Sequence, residues 1–457
     1  MTNLPPIPVP RKLWHAGTLV YTTPALAVLF LWLLWGDFAW QMKERSVLPV
    51  VQLLFGMFHA SDYLTGIMIG SLPQIVGLLL GPIIAYRSDR LRSRWGRRIP
   101  FLFVSTPIVV VSMVGLAFSP YLGPWLHGLL GSHSPGPNVL VLIFLGLFWT
   151  LFEVATVIAN SVFSALINDV VPHVVIGRFF GFFRAVSLLA AMGFYYGLFG
   201  QSKQYYMAIF LGGALLYGVG FLMVGLRVKE GKYPAPPPAN PNSGVVGFVQ
   251  ATKSYFQECF GNPYYLWFYA YIAISWMAFM PVNVFNIAFS ESIKMSQDDF
   301  GLCMTITFAA SFILAYPLGM LADRVHPLLL GVIFQALYAG VTLWGGLFAT
   351  DAKMFSIALV AHGVVSGTWM TATASIGQRM LPMAKFAQYG SAAGIVGAIC
   401  GIAINPIMGY VLDASGHQYR YTYFTSSGLV TVALICGVVL YWKFKALGGP
   451  KHYVAPE

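Results

Sequence analysis

Gly81-Pro-Ile-Ile-Ala-Tyr-Arg-Ser-Asp-Arg-Leu-Arg-Ser-Arg-Trp-Gly-Arg-Arg98 places six arginines, Arg87 to Arg98, in a chain that is only 9% charged. Apolar runs long enough to cross a bilayer lie on both sides of it. Short loops rich in Lys and Arg stay on the cytoplasmic side, so this loop sets the topology.

Composition agrees. The 457 residues are 58% hydrophobic and the mean hydropathy is +0.72. A soluble protein of this length needs far more surface charge, so the bilayer is the expected solvent. Met1 to Pro10 is polar and proline-rich and lacks a signal-peptide pattern. The net charge of +11 lies beside apolar runs, which points to anionic lipid headgroups and not to nucleic acid. Cys259, Cys303, Cys400 and Cys436 are scattered, with neither metal nor disulfide spacing. A Walker P-loop, a nucleophile elbow and a strand-borne dinucleotide motif are all missing from the sequence. ATP-driven transport, enzymatic activity and a resident cofactor or metal are therefore not expected.

A span takes about 20 mostly apolar residues. Twelve such runs start near Leu19, Asp62, Ile99, Val139, Arg178, Gln204, Tyr264, Asp298, Leu328, Met354, Phe386 and Tyr421. The expected fold is all-α, with 12 transmembrane helices in two six-helix pseudo-symmetric bundles, 1–228 and 261–457. Between them, 229–260 reads as a cytoplasmic linker. It holds Pro234-Ala-Pro-Pro-Pro-Ala-Asn-Pro241 and then a short amphipathic surface helix, Val245 to Phe260. Placing both termini inside leaves Lys203, Lys294, Lys353 and Arg420 outside, and Lys43 and Arg45 to be explained within or beyond span 1. All other Lys and Arg fall on cytoplasmic ends or loops. The halves repeat: Asp89-Arg90 begins 23 residues after Gly66, and Asp323-Arg324 begins 22 residues after Gly301. Parallel repeats of this kind put a solute site near the midplane, between the halves.

Ala85-Tyr-Arg-Ser-Asp89-Arg90 with Gly96-Arg97-Arg98 resembles the loop motif of the major facilitator superfamily, with Ala85 in place of the usual glycine. Gly319-Met-Leu-Ala-Asp323-Arg324 repeats its first part. The added Leu91-Arg-Ser-Arg-Trp95 resembles the glycoside–pentoside–hexuronide and sucrose-type sugar:cation symporters. Trp35-Gly-Asp-Phe-Ala39 resembles the acidic span 1 segment of melibiose-type carriers. The resemblance implies a major facilitator fold and a gating contact, made and broken in alternating access, at Ala85, Asp89, Arg90, Gly96, Arg97, Arg98, Gly319, Asp323 and Arg324. Small residues permit close helix approach, and the aspartates can accept hydrogen bonds from a neighbouring helix N-terminus. The bland alternative is that the arginines only set topology.

Charges at membrane depth mark functional positions. Asp37 and Glu44 are seven residues apart and share one face of span 1. Either span 1 ends near Gln41, or it runs on to about Leu54. Ser46 to His59 is too apolar for a loop and too short to cross, which favours the long helix. Glu153 lies inside span 4 with Asn160 on the same face. It reads as a structural hydrogen-bonding group or as a protonatable carboxylate, since burial favours the neutral form. Arg184 lies two turns inside span 5. It either snorkels or, as the resemblance implies, partners the span 1 acid. In the second half Trp276, Asn283 and Asn286 in span 7 and His362, Ser366, Trp369 and Thr373 in span 10 offer rings and amides suited to a sugar.

The expectation is a monomeric secondary transporter of the plasma (bacterial inner) membrane. It would carry a sugar-like small solute with H⁺ or, less favoured, Na⁺. A carrier of an amphiphilic pigment or drug, and a non-transporting scaffold or sensor, are the rivals.

Overall fold

A computed structural model describes residues 13–235 and 245–456. Among the described residues, twelve helices are long and apolar enough to span. They are α1 Thr23–Met57, α2 Asp62–Arg90, α3 Ile99–Leu130, α4 Pro137–Val170, α5 His173–Gly197 and α6 Ser202–Arg227, then α7 Pro263–Ser292, α8 Gln297–Arg324, α9 Pro327–Phe348, α10 Ala352–Thr373, α11 Phe386–Ala414 and α12 Arg420–Ala446. Val245–Phe260 forms the expected extra helix between the halves. Most of the proline-rich linker, residues 236–244, and the polar Met1 to Pro10 lie outside the described residues.

Helix starts follow local chemistry. Thr22, Ser61, Ser296 and Asp351 each accept a backbone N–H of the first turn through a side-chain oxygen, satisfying donors that the helix leaves free. One boundary differs from the sequence expectation. Leu19–Thr22 is not the start of span 1 but a strand, β2, paired antiparallel with β1, Leu13–Ala16. Gly17, at φ +57°, supplies the left-handed residue that a two-residue hairpin turn requires. The hairpin then meets the start of the linker, where Lys232 N–H donates to Thr18 Oγ1 at 2.8 Å.

Helix pairing repeats between the halves. The pairs α1–α6, α3–α6, α3–α4, α2–α4 and α1–α5 have the counterparts α7–α12, α9–α12, α9–α10, α8–α10 and α7–α11. The halves meet mainly through α2–α11 and α5–α8, which are mates under the same symmetry.

That meeting is concentrated at the end away from the arginine loop, called here the far end. Gly66 and Gly70 sit in a π-helical turn of α2, Gly66–Ser71, where a Cβ would collide with the Asn405 backbone or side chain. Ser71 Oγ donates to Ile402 C=O at 2.8 Å. Asp413 accepts from the N–H groups of Asp62 at 2.8 Å and Tyr63 at 2.9 Å, a carboxylate on a helix N-terminus. His417 Nδ1, at 2.7 Å, and Tyr419 Oη, at 3.0 Å, hold the Asp62 carboxylate. All four oxygens of this acidic pair are therefore engaged. Lys203 pairs with Glu291 across the halves. At the arginine-loop end the ion pairs among the described residues stay within one half.

Gly70→Val should wedge this seal open. A cysteine at Gln52, whose amide reaches Val284 C=O of the other half at 3.4 Å, should then react faster with a membrane-impermeant thiol reagent than in the Gly70 background. An unchanged rate would mean that the crossing yields without opening.

Candidate functional site

α1 is one helix of 35 residues with Pro49 inside it. The long-helix expectation holds, and the alternative that Lys43-Glu-Arg45 is a loop does not. Lys43 is 0% exposed. Its ammonium donates to Glu44 Oε1 at 2.6 Å and Thr156 Oγ1 at 3.1 Å. It also lies 3.9 Å from the Trp40 ring centroid, 4.8 Å from Phe152 and 5.5 Å from Tyr217. A buried ammonium is tolerable only when paired and bonded in this way. The charges acting on Glu153 are those of Glu44 and Lys43, and Thr156, one turn from Glu153, fixes α4 to this ammonium. Lys43, Glu44 and Glu153 thus form one cluster across α1 and α4. Lys43 was the residue missed in sequence. Its one signal was the position three residues after Trp40, a ring onto which a helix can fold a cation.

Asp37 is fully buried. Oδ1 accepts from Gln41 Nε2 at 3.1 Å, and Gln41 Oε1 accepts from Ser187 Oγ of α5 at 3.0 Å. Oδ2 is buried without a partner. Arg184 makes no ion pair with Asp37; it is exposed, and the charge acting on it is that of Arg45. The expected acid–arginine pair is thus replaced by an amide–hydroxyl bridge, because Gln41 occupies the turn of α1 that faces α5. Asn160 is exposed and takes no part in the Glu153 cluster.

In the second half, Trp276 is 43% exposed at spanning depth. Behind it stands Trp369, ring centroid 6.1 Å away and edge-on at 85°. Trp369 is only 1% exposed and donates its indole N–H to Tyr271 Oη at 3.1 Å. It therefore supports Trp276 and does not itself face open space. Asn283 is exposed two turns from Trp276, and its Oδ1 lies 3.0 Å from His362 Nε2. His362 Nδ1 meets Tyr338 Oη at 2.8 Å. Asn286 is buried and makes no hydrogen bond among the described residues. The structure thus offers one ring and one anchored amide on the open face of α7.

The motif residues divide. Asp89 is held by Arg98 and lies 3.7 Å from Arg97 Nη1. Asp169, at the end of α4, accepts from Arg97 Nη2 at 2.6 Å, from Nε of Arg97 and of Arg98 at 3.1 Å each, and from Tyr233 Oη at 3.3 Å. The N-terminus of α3 is capped from the linker: Glu230 accepts the N–H groups of Arg97, Arg98 and Ile99 at 2.8–2.9 Å. Gly96, at φ +108°, leaves room for it. Asp89 itself bonds arginine side chains, and the aspartate that binds a neighbouring helix N-terminus is Asp413 at the far end. Arg90 stacks on Tyr86 instead. Arg92 is more than a topological charge. It donates to the carbonyls of Asp89, Leu91 and Pro234 at 2.7–2.9 Å and so closes the end of α2. Asp323 pairs with Arg379 at 3.0 Å, and Arg324 does not join it. Ala85 is exposed and nothing lies within 4 Å of a Cβ at Gly319, so neither makes a close helix approach here.

Asp169→Asn should lower the thermal melt more than Asp89→Asn. Asp169 is mostly buried with four donors, and losing its charge should cost about 2–3 kcal/mol. Asp89 is more than half exposed, and its loss should cost under about 1 kcal/mol. Melts of equal depression would mean that the two share the load.

A family model described as MFS/sugar transport protein matches residues 54–416. The sucrose transport protein SUC4 of Arabidopsis thaliana is 25% identical over 305 residues, which is 60% of this chain and 58% of that protein. The sucrose transport protein SUT1 of Oryza sativa subsp. japonica is 33% identical over 87 residues, 19% of this chain and 15% of that one. The chain thus matches less than two thirds of the length of either plant relative. Among solved structures, a bacterial homologue of the human lysosomal transporter Spinster, inward-facing and unoccupied, superposes with a TM-score of 0.65. It is 14% identical and covers 96% of this chain and 100% of its own. The inward-open xylose transporter XylE from E. coli gives 0.64 at 14% identity, covering 92% and 96%. At that identity these two likenesses speak for the fold alone.

Proposed function

The chain belongs to the MFS/sugar transport protein family and spans the membrane many times; on that premise we propose that it is a secondary active symporter of a sugar-like polar solute. The two six-helix halves rock about a central site, with both termini cytoplasmic in the bacterial inner membrane and H⁺ as the coupling ion. The observation that carries this reading is the Lys43–Glu44–Glu153 cluster. Ionisable groups are held at spanning depth on α1 and α4, beside a half-exposed Glu44 and opposite an open Trp276–Asn283 face. A scaffold has no use for such charges. The far-end seal and the arginine-loop pairs within each half suit one station of alternating access. In the reverse station Ala85 and Gly319 would come into helix contact and Asp89 would trade partners.

Adding sucrose or a related sugar to lightly buffered vesicles containing the protein should alkalinise the outside medium without sodium. A sodium-dependent signal with no pH change would remove the proton assignment and leave the symport reading. A second reading, transport of an amphiphilic compound, is favoured by the exposed Trp276 ring, which the buried rings of Phe279 and Trp369 back from behind. Thermal stabilisation screened over sugars and lipophiles separates the two: stabilisation by lipophiles alone selects the second.

A further inference from the structure

The geometry points to Arg45 of α1 and Arg184 of α5 as a subsite for an oxyanion, a carboxylate or phosphate group carried by the transported solute. This rests on the polar-solute reading above and names the class of solute. Both arginines are at spanning depth. Arg45 lies 12 residues before the end of α1 and Arg184 lies 13 before the end of α5, about 18–20 Å along each helix from that helix's own end. The Gln41–Ser187 hydrogen bond lies between them. It sets the two Cα atoms about 10 Å apart in height, since Arg45 is four residues beyond Gln41 and Arg184 three before Ser187. The charge of Arg45 acts on Arg184 across that gap.

Neither guanidinium has a counter-ion. Among the described residues neither makes a hydrogen bond or an ion pair. Arg45 Nε is buried with no partner, and the group rests on the Phe308 ring of the opposite half at 5.1 Å. Two adjacent unpaired cations at membrane depth are costly, which calls for an anion that arrives from outside the chain. Among the described residues no acid pairs with either. Glu44 is taken by Lys43 at 2.6 Å, Asp37 bonds Gln41 two turns away, and Glu153 of α4 lies with Lys43 and Glu44, whose charges are the ones that act on it. Every acid of α7–α12, namely Glu291, Asp298, Asp299, Asp323 and Asp413, lies within a turn of a helix end. A lipid headgroup does not fit, because the pair sits far from both membrane surfaces. Arginine forks suit planar oxyanions, and the Phe308 face holds one fork in place.

The test melts the purified full-length protein with glucose, glucuronate and glucose 6-phosphate, which share one ring and differ in charge. The charged probes should stabilise it at concentrations about tenfold or more below glucose. Arg45→Gln and Arg184→Gln should erase that preference, while Arg45→Lys and Arg184→Lys retain part of it. The lysine variants decide the case if a glutamine variant no longer melts cooperatively. Glucose equal to or better than the charged probes would overturn the proposal alone, as would an intact charge preference in both glutamine variants. If no probe of either charge shifts the melt, the proposal falls together with the polar-solute reading.

Discussion

Glu153→Gln in reconstituted vesicles is expected to exchange solute across the membrane at close to the unsubstituted rate and to lose accumulation against a gradient almost completely. Glu153 is 9% exposed, on the α4 face that carries Thr156 and, through it, the Lys43 ammonium. Lys43 is already neutralised by Glu44 at 2.6 Å, so Glu153 is the one acid of the cluster without a fixed cation of its own. A group so placed can take up and release a single proton as its surroundings change. Glutamine keeps the shape and the hydrogen-bonding capacity and removes only the titration. Counterflow and uphill uptake measured on the same vesicles separate the two steps. Normal uphill uptake by the variant would move the coupling role elsewhere, with Asp37 next in line.

Lys43→Met is expected to destabilise the protein by about 2–4 kcal/mol, because it strands Glu44 beside the aromatic cage with no cation. The side chain of Glu44 is 38% exposed, so some solvent reaches it, and the cost should fall short of a fully buried pair. Lys43→Met combined with Glu44→Gln should recover most of the loss, since removing both charges removes the mismatch. Thermal melts of the four proteins make a double-mutant cycle. Additive losses in the cycle would show that the pair is not coupled, and the cluster would no longer be a unit.

The extended α1 was legible because Ser46 to His59 had no other use: it is too apolar for a loop and too short to cross. Asp37 and Glu153 were legible because an acid in an apolar run stands out. Lys43 was not. A lysine beside a glutamate and an arginine looks like a solvated turn until α4 and α6 bring Thr156, Phe152 and Tyr217 around it. The role of Arg92 was hidden for a similar reason, since a run of arginines does not show which one bonds the helix end. Glu230 and Asp169 gave no signal at all. Each is an ordinary acid at the edge of a span, and only the folding-back of the linker and of α4 onto the start of α3 gives them work. The Leu19–Thr22 boundary failed because an apolar quartet fits a strand as well as a helix, and Gly17 decides for the hairpin.

What the sequence determined by itself is the set of spans and their twofold repeat. These follow from hydrophobic length, which is a sum over neighbouring residues. What the tertiary structure alone decided is which charges meet. Lys43 and Thr156 are 113 residues apart, and the Asp62–Asp413 contact that helps seal the far end joins residues 351 apart. Such pairs depend on how each helix is rotated and which neighbour it faces. A run of apolar residues, equally at home against lipid or protein, carries almost no record of that rotation.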